Sequence, residues 1–563
     1  MNLTGAEITI KLLEQQGIDT IIGIPGGSNL PIYDALYESS IRHILARHEQ
    51  GAAFIAQGIA RATGKAAVCF ATSGPGATNL LTAIADAKLD SVPLIAITGQ
   101  VPYGAIGTDA FQEVDTYGLT VPITKHNFLV RSLEELILAI PEAFKIAESG
   151  RPGPVVIDIP KNIQNDIIDE SQFYNLLKET DSWCDTELKI NDNDIEKLAA
   201  MINDSRKPML YIGGGVISGD AAKEVRELSH KGSIPVVSTL MALGVLPKEN
   251  PLYLGMLGMH GTRYTNYLMD ESDLIITIGA RFDDRAIGNA DKFCRKANIA
   301  HIDIDDAEIN KIKESNFYIN GDVKEVLTRL IPLIKGNTRD YWLDRIDAVK
   351  SKYPFTMPKK EDKFHPVNII KYISEIVPKD SIVATDVGQH QMWVAQAYPF
   401  TYPRNLLTSG GLGTMGFGLP AAIGAALAYP ERQVVCFSGD GSILMNIQEL
   451  ATLADLELNI KVIIMNNGHL GMVRQQQEMF FKEHYIAVKF PKNPDFAAIA
   501  KGFGIDSVDL TDKVKPEEVL KKALEKSGPM LINIPIKADL NVYPTVQGGA
   551  ANTDMIGGGY DGE

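Results

Sequence analysis

Short runs rich in Val, Ile and Ala alternate along almost the whole chain with segments whose apolar residues recur at helical spacing, a pattern that predicts parallel sheets covered by helices. The fold class expected is α/β. The first stretch, MNLTGAEITIKLLEQQG, spaces its apolar residues as an amphipathic helix does, with Glu7 and Lys11 breaking any continuous apolar run, so it does not read as a signal peptide. The periodic pattern gives way to crowded polar and charged residues at 162–195 and 335–365, which read as linkers. With 563 residues to distribute, three domains follow, at 1–165, 190–335 and 360–545. GKAAVCFATSGPGATN at 64–79 and ERQVVCFSGDGSILMN at 431–446 share a strand, glycine turn, helix order. That order fits an internal duplication, or simply the βα unit that doubly wound domains have in common.

Composition adds exclusions. The formal charge of -16 and the lack of any Lys/Arg run argue against a nucleic-acid partner. Cys69, Cys184, Cys294 and Cys436 form no CxxC pair, so neither a disulfide framework nor a zinc knuckle is expected, and a reducing cytoplasm fits. No apolar stretch is long enough to span a bilayer, so the expectation is a soluble protein.

The chemistry begins in QVVCFSGDGSILMNIQELATLADLELNIKVIIMNNGHLG, which reads strand, helix, strand. A right-handed crossover puts both strand ends on one edge of the sheet, so Asp440 and Asn467 should be neighbours in space. A carboxylate and an amide oxygen suit Mg²⁺ that keeps room for phosphate oxygens, and a helix opening at Gly441 and Ser442 would favour the anion. Each turn alone is common; the strand context joins them. In the middle segment PMLYIGGG, LIITIGARFDDR and IAHIDIDD end strands in glycine or acid, but Gly213, Gly214 and Gly215 do not make a GxGxxG motif. Glu49, in ILARHEQGAAFIAQG, stands where a strand gives way to a helix of small apolar residues. Burial there would favour its protonated form, whereas a Glu in a first turn otherwise complements the helix dipole.

GDG followed at this gap by NN is the thiamine-diphosphate signature, and HEQGA, SGPGATN, VGQHQMW and SGGLGTMGFGLPAAIGAAL occur in the order and spacing of acetohydroxyacid synthase (acetolactate synthase) catalytic subunits. The resemblance covers nearly the whole chain and extends to the bacterial isozyme I form in the terminal GAANTDM. It implies decarboxylating condensation of pyruvate with a second pyruvate or 2-oxobutanoate, in branched-chain amino-acid biosynthesis. It also implies two thiamine-diphosphate-binding domains flanking a Rossmann-like FAD-binding one. By the same resemblance Asp440, Asn467 and the backbone carbonyl of His469 hold Mg²⁺; Gln389, His390, Gly413, Gly441 and Ser442 contact the cofactor; Met415 bends it; and Glu49 activates it from another subunit. Homodimers or homotetramers with shared sites are implied, and a small regulatory subunit often accompanies the family.

Arg285 in RFDDR resembles the residue facing the acceptor carboxylate, where a bidentate donor is the natural choice; outside this motif an Arg beside Asp283 and Asp284 reads as a surface ion pair. Gly26, Gly27, Phe111 and Gln112 resemble the segments that close over the reacting carbon. Where the family usually has Trp, this chain has Gln476, whose smaller apolar surface should weaken the preference for 2-oxobutanoate. Arg151, Gly213, Gly214, Gly215, Met259, His260, Gly261, Gly279, Arg281, Asp303 and Asp322 match the family's FAD pattern, with the flavin structural because the reaction transfers no net electrons. A flavin-dependent pyruvate oxidase and an FAD-free catabolic acetolactate synthase are the alternatives.

Overall fold

The apolar runs form strands whose both faces are covered by the periodic segments, now helices. In the computed structural model, which describes residues 2–178, 188–511 and 513–560, three six-stranded parallel sheets result. In spatial order the first contains Arg42–Leu45, Thr20–Gly23, Ala67–Ala71, Leu94–Gln100, Val155–Pro160 and His126–Leu129. The third contains Leu406–Leu407, Ile382–Thr385, Val434–Gly439, Ile460–Asn466, Met530–Pro535 and Asp506–Asp509. Counted along the chain, both sheets run second, first, third, fourth, sixth, fifth. Identical winding throughout two sheets favours duplication over a shared βα unit.

The central sheet is wound differently: Tyr253–Met256, Val236–Ser238, Pro208–Ile212, Leu274–Ile278, Asn298–Asp303 and Phe317–Asn320. Its order reverses between Pro208–Ile212 and Leu274–Ile278, which opens the crevice where dinucleotides bind in such folds. The first and third sheets share one apolar core, because the helix Glu49–Thr63 packs along the helix Gly418–Ala428.

The expected N-terminal helix is Gly5–Gln15, opened by a capping box between Thr4 and Glu7. Two expected linkers turn out to carry structure. Within 162–195, the strand Ile167–Asp169 pairs with Asn2–Thr4, and the helix Glu170–Leu177 buries Phe173 in the first domain's core. Residues 179–187, with Cys184, lie outside the described residues. Within 335–365, the helix Asp340–Lys352 buries Trp342 against the central sheet, with its Nε1 donating to Pro208 O at 3.1 Å. Both segments look polar because many of their described residues face water, while a few buried side chains, Ile163, Ile168 and Phe173 in the first and Trp342, Ile346 and Val349 in the second, hold them down. Cys69, Cys294 and Cys436 are buried free thiols. Among the described residues no helix is long and apolar enough to cross a membrane.

Candidate active site

The strands Ile382–Thr385 and Val434–Gly439 flank the point where the third sheet reverses its order, and their ends carry Asp386 to His390 and Asp440 to Ser442. Asp440 and Asn467 come together as expected: Asp440 Oδ2 accepts from the Gly468 amide at 2.8 Å and from Asn493 Nδ2 at 2.7 Å. Asn467 Oδ1 accepts from the His469 amide at 3.0 Å, and its Nδ2 faces Gln389 Oε1 at 3.5 Å. Burial pushes the Asp440 carboxyl up against the pull of Asn493 and the amides, a cost that a bound cation reverses. Among the described residues no group of three or more His, Cys, Asp or Glu could hold a metal. Asp440 and Asn467 therefore suit Mg²⁺ that takes its remaining ligands from phosphate oxygens, water and a backbone carbonyl.

The helix expected to open at Gly441 is a single turn, Asp440–Ile443, and a longer one begins only at Glu449. Between them Asn446 Nδ2 donates to Gly416 O at 2.8 Å, tying the chain to the loop that carries Gly413 and Met415. So short a helix has little dipole to offer an anion. The polar side chains nearby supply the attraction instead: Gln389 and His390 are buried, and His390 Nε2 has no partner. Burial drives the His390 ring down to about 3, and an anion beside it would draw a proton back. A buried nitrogen without a partner beside oxygen ligands fits a diphosphate.

These residues line one cavity of about 940 Å³. Its wall includes Gln389, His390, Gly413, Met415, Asp440, Gly441, Ser442, Asn467, His469, Gln476 and Arg285. It continues into the central domain along Arg151, Gly213, Gly214, Gly215, Met259, His260, Gly279, Arg281 and Asp303. Here backbone meets backbone: a Cβ on Gly215 would stand 2.6 Å from the Gly279 Cα, so only glycine lets the two strand ends approach. A crevice bounded by bare backbone at the reversal point fits a dinucleotide. Arg151 is engaged with Asp305 at 3.0 Å and Glu308 at 2.7 Å. Arg285 is largely exposed and 3.6 Å from Asp284, while Asp283 caps its short helix. Two of the residues expected at the flavin stand outside the wall. Asp322 caps the helix Val323–Leu330 by accepting from the Glu325 amide at 2.9 Å, and Gly261 lies in the turn before the helix Arg263–Glu271.

Glu49, Gly26, Gly27, Phe111 and Gln112 are apart from this cavity, at the edge of the first sheet. Glu49 opens the helix Glu49–Thr63, and its Oε2 accepts from Asn79 Nδ2 at 2.9 Å. The expected burial of Glu49 is reached only in part: within one chain the side chain is half-buried. Gly26 packs against Thr72, Gln112 lies over Gly74, and Phe111 is 87% exposed. The Phe111 loop is held from below, where Gln100 Nε2 donates to both Val114 O at 3.0 Å and Asp158 Oδ2 at 2.9 Å.

Burial raises Asp158 from 3.8 to about 7. A raised carboxyl contributes stability that is complete below 3.8 and is lost as pH climbs through about 7. Asp158→Asn, whose Oδ1 can accept from Gln100 Nε2 and whose Nδ2 can donate to the Thr98 hydroxyl, should therefore gain about 2 kcal/mol relative to the parent between pH 5.5 and 8.5. Denaturant midpoints at the two pH values measure this, and parallel shifts in the two proteins would refute it.

Sequence reasoning missed Asn79, Asn493 and Asp386. The Asp386 carboxylate is wholly buried, raised to about 6 by that burial, and accepts from the Gly416 amide at 2.8 Å and Ser438 Oγ at 3.2 Å. Asp386 had a legible signal, an acid closing a strand ahead of VGQH; Asn493, far along the chain in PKNPDF, had none.

Comparison with known proteins adds three domain matches. Residues 3–119 match the thiamine pyrophosphate enzyme N-terminal TPP-binding domain, 195–330 the central domain, and 386–534 the C-terminal TPP-binding domain. The chain is 55% identical to the acetolactate synthase isozyme 1 large subunit of Escherichia coli (strain K12), over 98% of both chains. It is 45% identical to the isozyme 2 large subunit of that strain, over 98% of this chain and 99% of that one. The acetolactate synthase large subunit of Corynebacterium glutamicum is 45% identical, over 98% of this chain and 90% of that one.

Proposed function

The chain belongs to the acetolactate synthase large subunits, a family of thiamine pyrophosphate enzymes, and from that premise we propose how its residues divide the work. The activity is acetolactate synthesis for branched-chain amino acids. Asp440, Asn467 and the carbonyl of His469 hold Mg²⁺, while Gln389, His390, Gly441 and Ser442 take the diphosphate. The observation that carries this reading is the 2.8 Å bond from the Gly468 amide to Asp440, which brings the ends of two strands to one point beside the unpartnered His390 Nε2.

Thiamine diphosphate, when bound, supplies the nucleophilic ring carbon and the electron sink that let one 2-oxo acid lose carbon dioxide and its two-carbon remainder join another. Gly413 and Met415 shape its seat. Glu49 donates a proton to its aminopyrimidine ring. Arg285 takes the carboxylate of the acceptor through its planar guanidinium, which a 2-oxo acid matches bidentately. Gly26, Phe111 and Gln112 close over the reacting atoms and exclude water, which would otherwise divert the two-carbon fragment to an aldehyde.

Since Glu49 and Phe111 stand apart from the cavity in one chain, the complete site takes them from a second copy, in a homodimer or a homotetramer built from it. The exposed Phe111, Tyr117, Leu119 and Val121 beside Glu49's edge, and Leu412, Leu444 and Met445 beside the diphosphate end, supply apolar surface for that contact. The central crevice takes FAD through Arg151, the glycine-lined strand ends, Met259, His260, Arg281 and Asp303, as a structural group. The purified protein is expected to be yellow and to release free flavin on denaturation. Relatives carry the name large subunit, and a small regulatory subunit is the corresponding partner here. The location proposed is the cytoplasm.

Acid conversion of the product of a pyruvate incubation to acetoin tests the activity, which should require both thiamine diphosphate and Mg²⁺; acetyl phosphate or acetate formed at the expense of an electron acceptor would indicate an oxidase instead. Gln476 stands exposed on the cavity wall. Gln476→Trp is expected to raise the ratio of acetohydroxybutyrate to acetolactate from mixed substrates by about 10-fold or more, since one methylene in an apolar pocket is worth ~1 to 3 kcal/mol. An unchanged ratio would remove Gln476 from the acceptor site.

A further inference from the structure

Glu449 is a buried acid with no part in the chemistry assigned so far. It is 0% exposed, at the first position of the helix Glu449–Leu456, on the segment that begins with Asp440. Its carboxylate does not serve its own helix alone. Oε1 and Oε2 accept from the Arg47 amide at 3.1 and 3.3 Å, Oε2 accepts from Thr452 Oγ1 at 2.6 Å, and the His48 amide is a further donor. A Cβ on Gly51 would stand 2.3 Å from Oε1, so the glycine of HEQGA is what lets the carboxylate enter. On the same helix Asp455 pairs with the Arg47 guanidinium. The C-terminal domain thus grips the chain on both sides of Glu49.

Helix capping does not explain this arrangement. His48 already caps the helix, its Nδ1 accepting from the Gln50 amide at 3.1 Å. Burying a carboxylate costs free energy: burial pushes Glu449 up while Thr452 and the two amides pull it down. What the tie adds is a fixed depth and rotation of the helix start against the neighbouring domain, worth most where a proton donor must meet a ring nitrogen within a few tenths of an ångström.

We propose that Glu449 is a positioning residue for cofactor activation: it anchors residues 47–51 to the C-terminal domain of their own chain and so fixes where the Glu49 carboxyl stands when it meets the cofactor held by the second copy. This rests on the reading of Glu49 as the activating acid. The test is deuterium exchange at the acidic ring carbon of thiamine diphosphate, measured on the holoenzyme at saturating cofactor and Mg²⁺, beside cofactor Kd and oligomeric state. In Glu449→Gln, which keeps the shape but turns an amide group toward the Arg47 and His48 donors, exchange should slow by about 10- to 100-fold, with Kd and assembly unchanged. Thr452→Val removes one donor to the same carboxylate, and should slow exchange by about 3- to 10-fold; it carries the test if Glu449→Gln does not fold. Exchange at the parent rate in these variants overturns the proposal, as does a loss of cofactor affinity or assembly that accounts for the slowing. Glu49→Gln separates the premises: parental exchange in that variant removes the role of Glu49, and the proposal with it.

Discussion

Glu49→Gln is expected to lower kcat for acetolactate formation by about 10²- to 10⁴-fold, the usual worth of a positioned proton donor. The amide keeps the volume of the carboxyl and can still accept from Asn79 Nδ2, which bonds Glu49 Oε2 at 2.9 Å. It cannot pass a proton. The loss should therefore fall on kcat, with cofactor affinity and KM for pyruvate nearly unchanged, because the diphosphate and the acceptor carboxylate are held elsewhere. A variant within tenfold of the parent would show that the acid lies somewhere other than at the start of the helix Glu49–Thr63.

Asp440→Ala should abolish Mg²⁺-dependent cofactor binding. It removes a hard oxygen ligand and leaves the Gly468 amide and Asn493 Nδ2, at 2.8 and 2.7 Å, without their acceptor. Losing an outer partner alone typically weakens a metal site by about 10- to 100-fold, and losing a ligand together with its supports should exceed that. Mixing this variant with Glu49→Gln makes the result sharper. Each alone is inactive, but a mixed dimer combines Glu49 from one chain with Asp440 from the other in one of its two sites. Random reassociation should restore about a quarter of parental activity. If the mixture stays inactive while mixed dimers form, both residues must come from the same chain, and the shared-site arrangement is wrong.

The sheets and the meeting of Asp440 with Asn467 were legible in the sequence, because both depend on local order. A run such as QVVCFSG can be satisfied only as a buried strand, and the handedness of the crossover then brings Asp440 and Asn467 to one edge whatever the rest of the chain does. The helix after Asp440 was misjudged for the opposite reason. Nothing near Ser442 forbids a longer helix; the chain turns away because Asn446 reaches Gly416, thirty residues earlier. The polar stretches at 162–195 and 335–365 misled in the same way, since Phe173 and Trp342 are the largest of a few widely spaced buried residues among many solvated ones.

By itself the sequence determined the α/β class, the three-part order along the chain, the ends of the strands that carry Asp440 and Asn467, and the family. All of these follow from short-range periodicity and from motifs with fixed spacing. Only the tertiary structure decided that Glu49 and the diphosphate end are separate within one chain, that Asn493 steadies Asp440, and that Glu449 grips the residues around Glu49. Those depend on which distant backbone amides and side chains end up facing a buried charge. A linear pattern does not encode that, because a carboxylate taken from water accepts from whatever donors the packed domains bring to it.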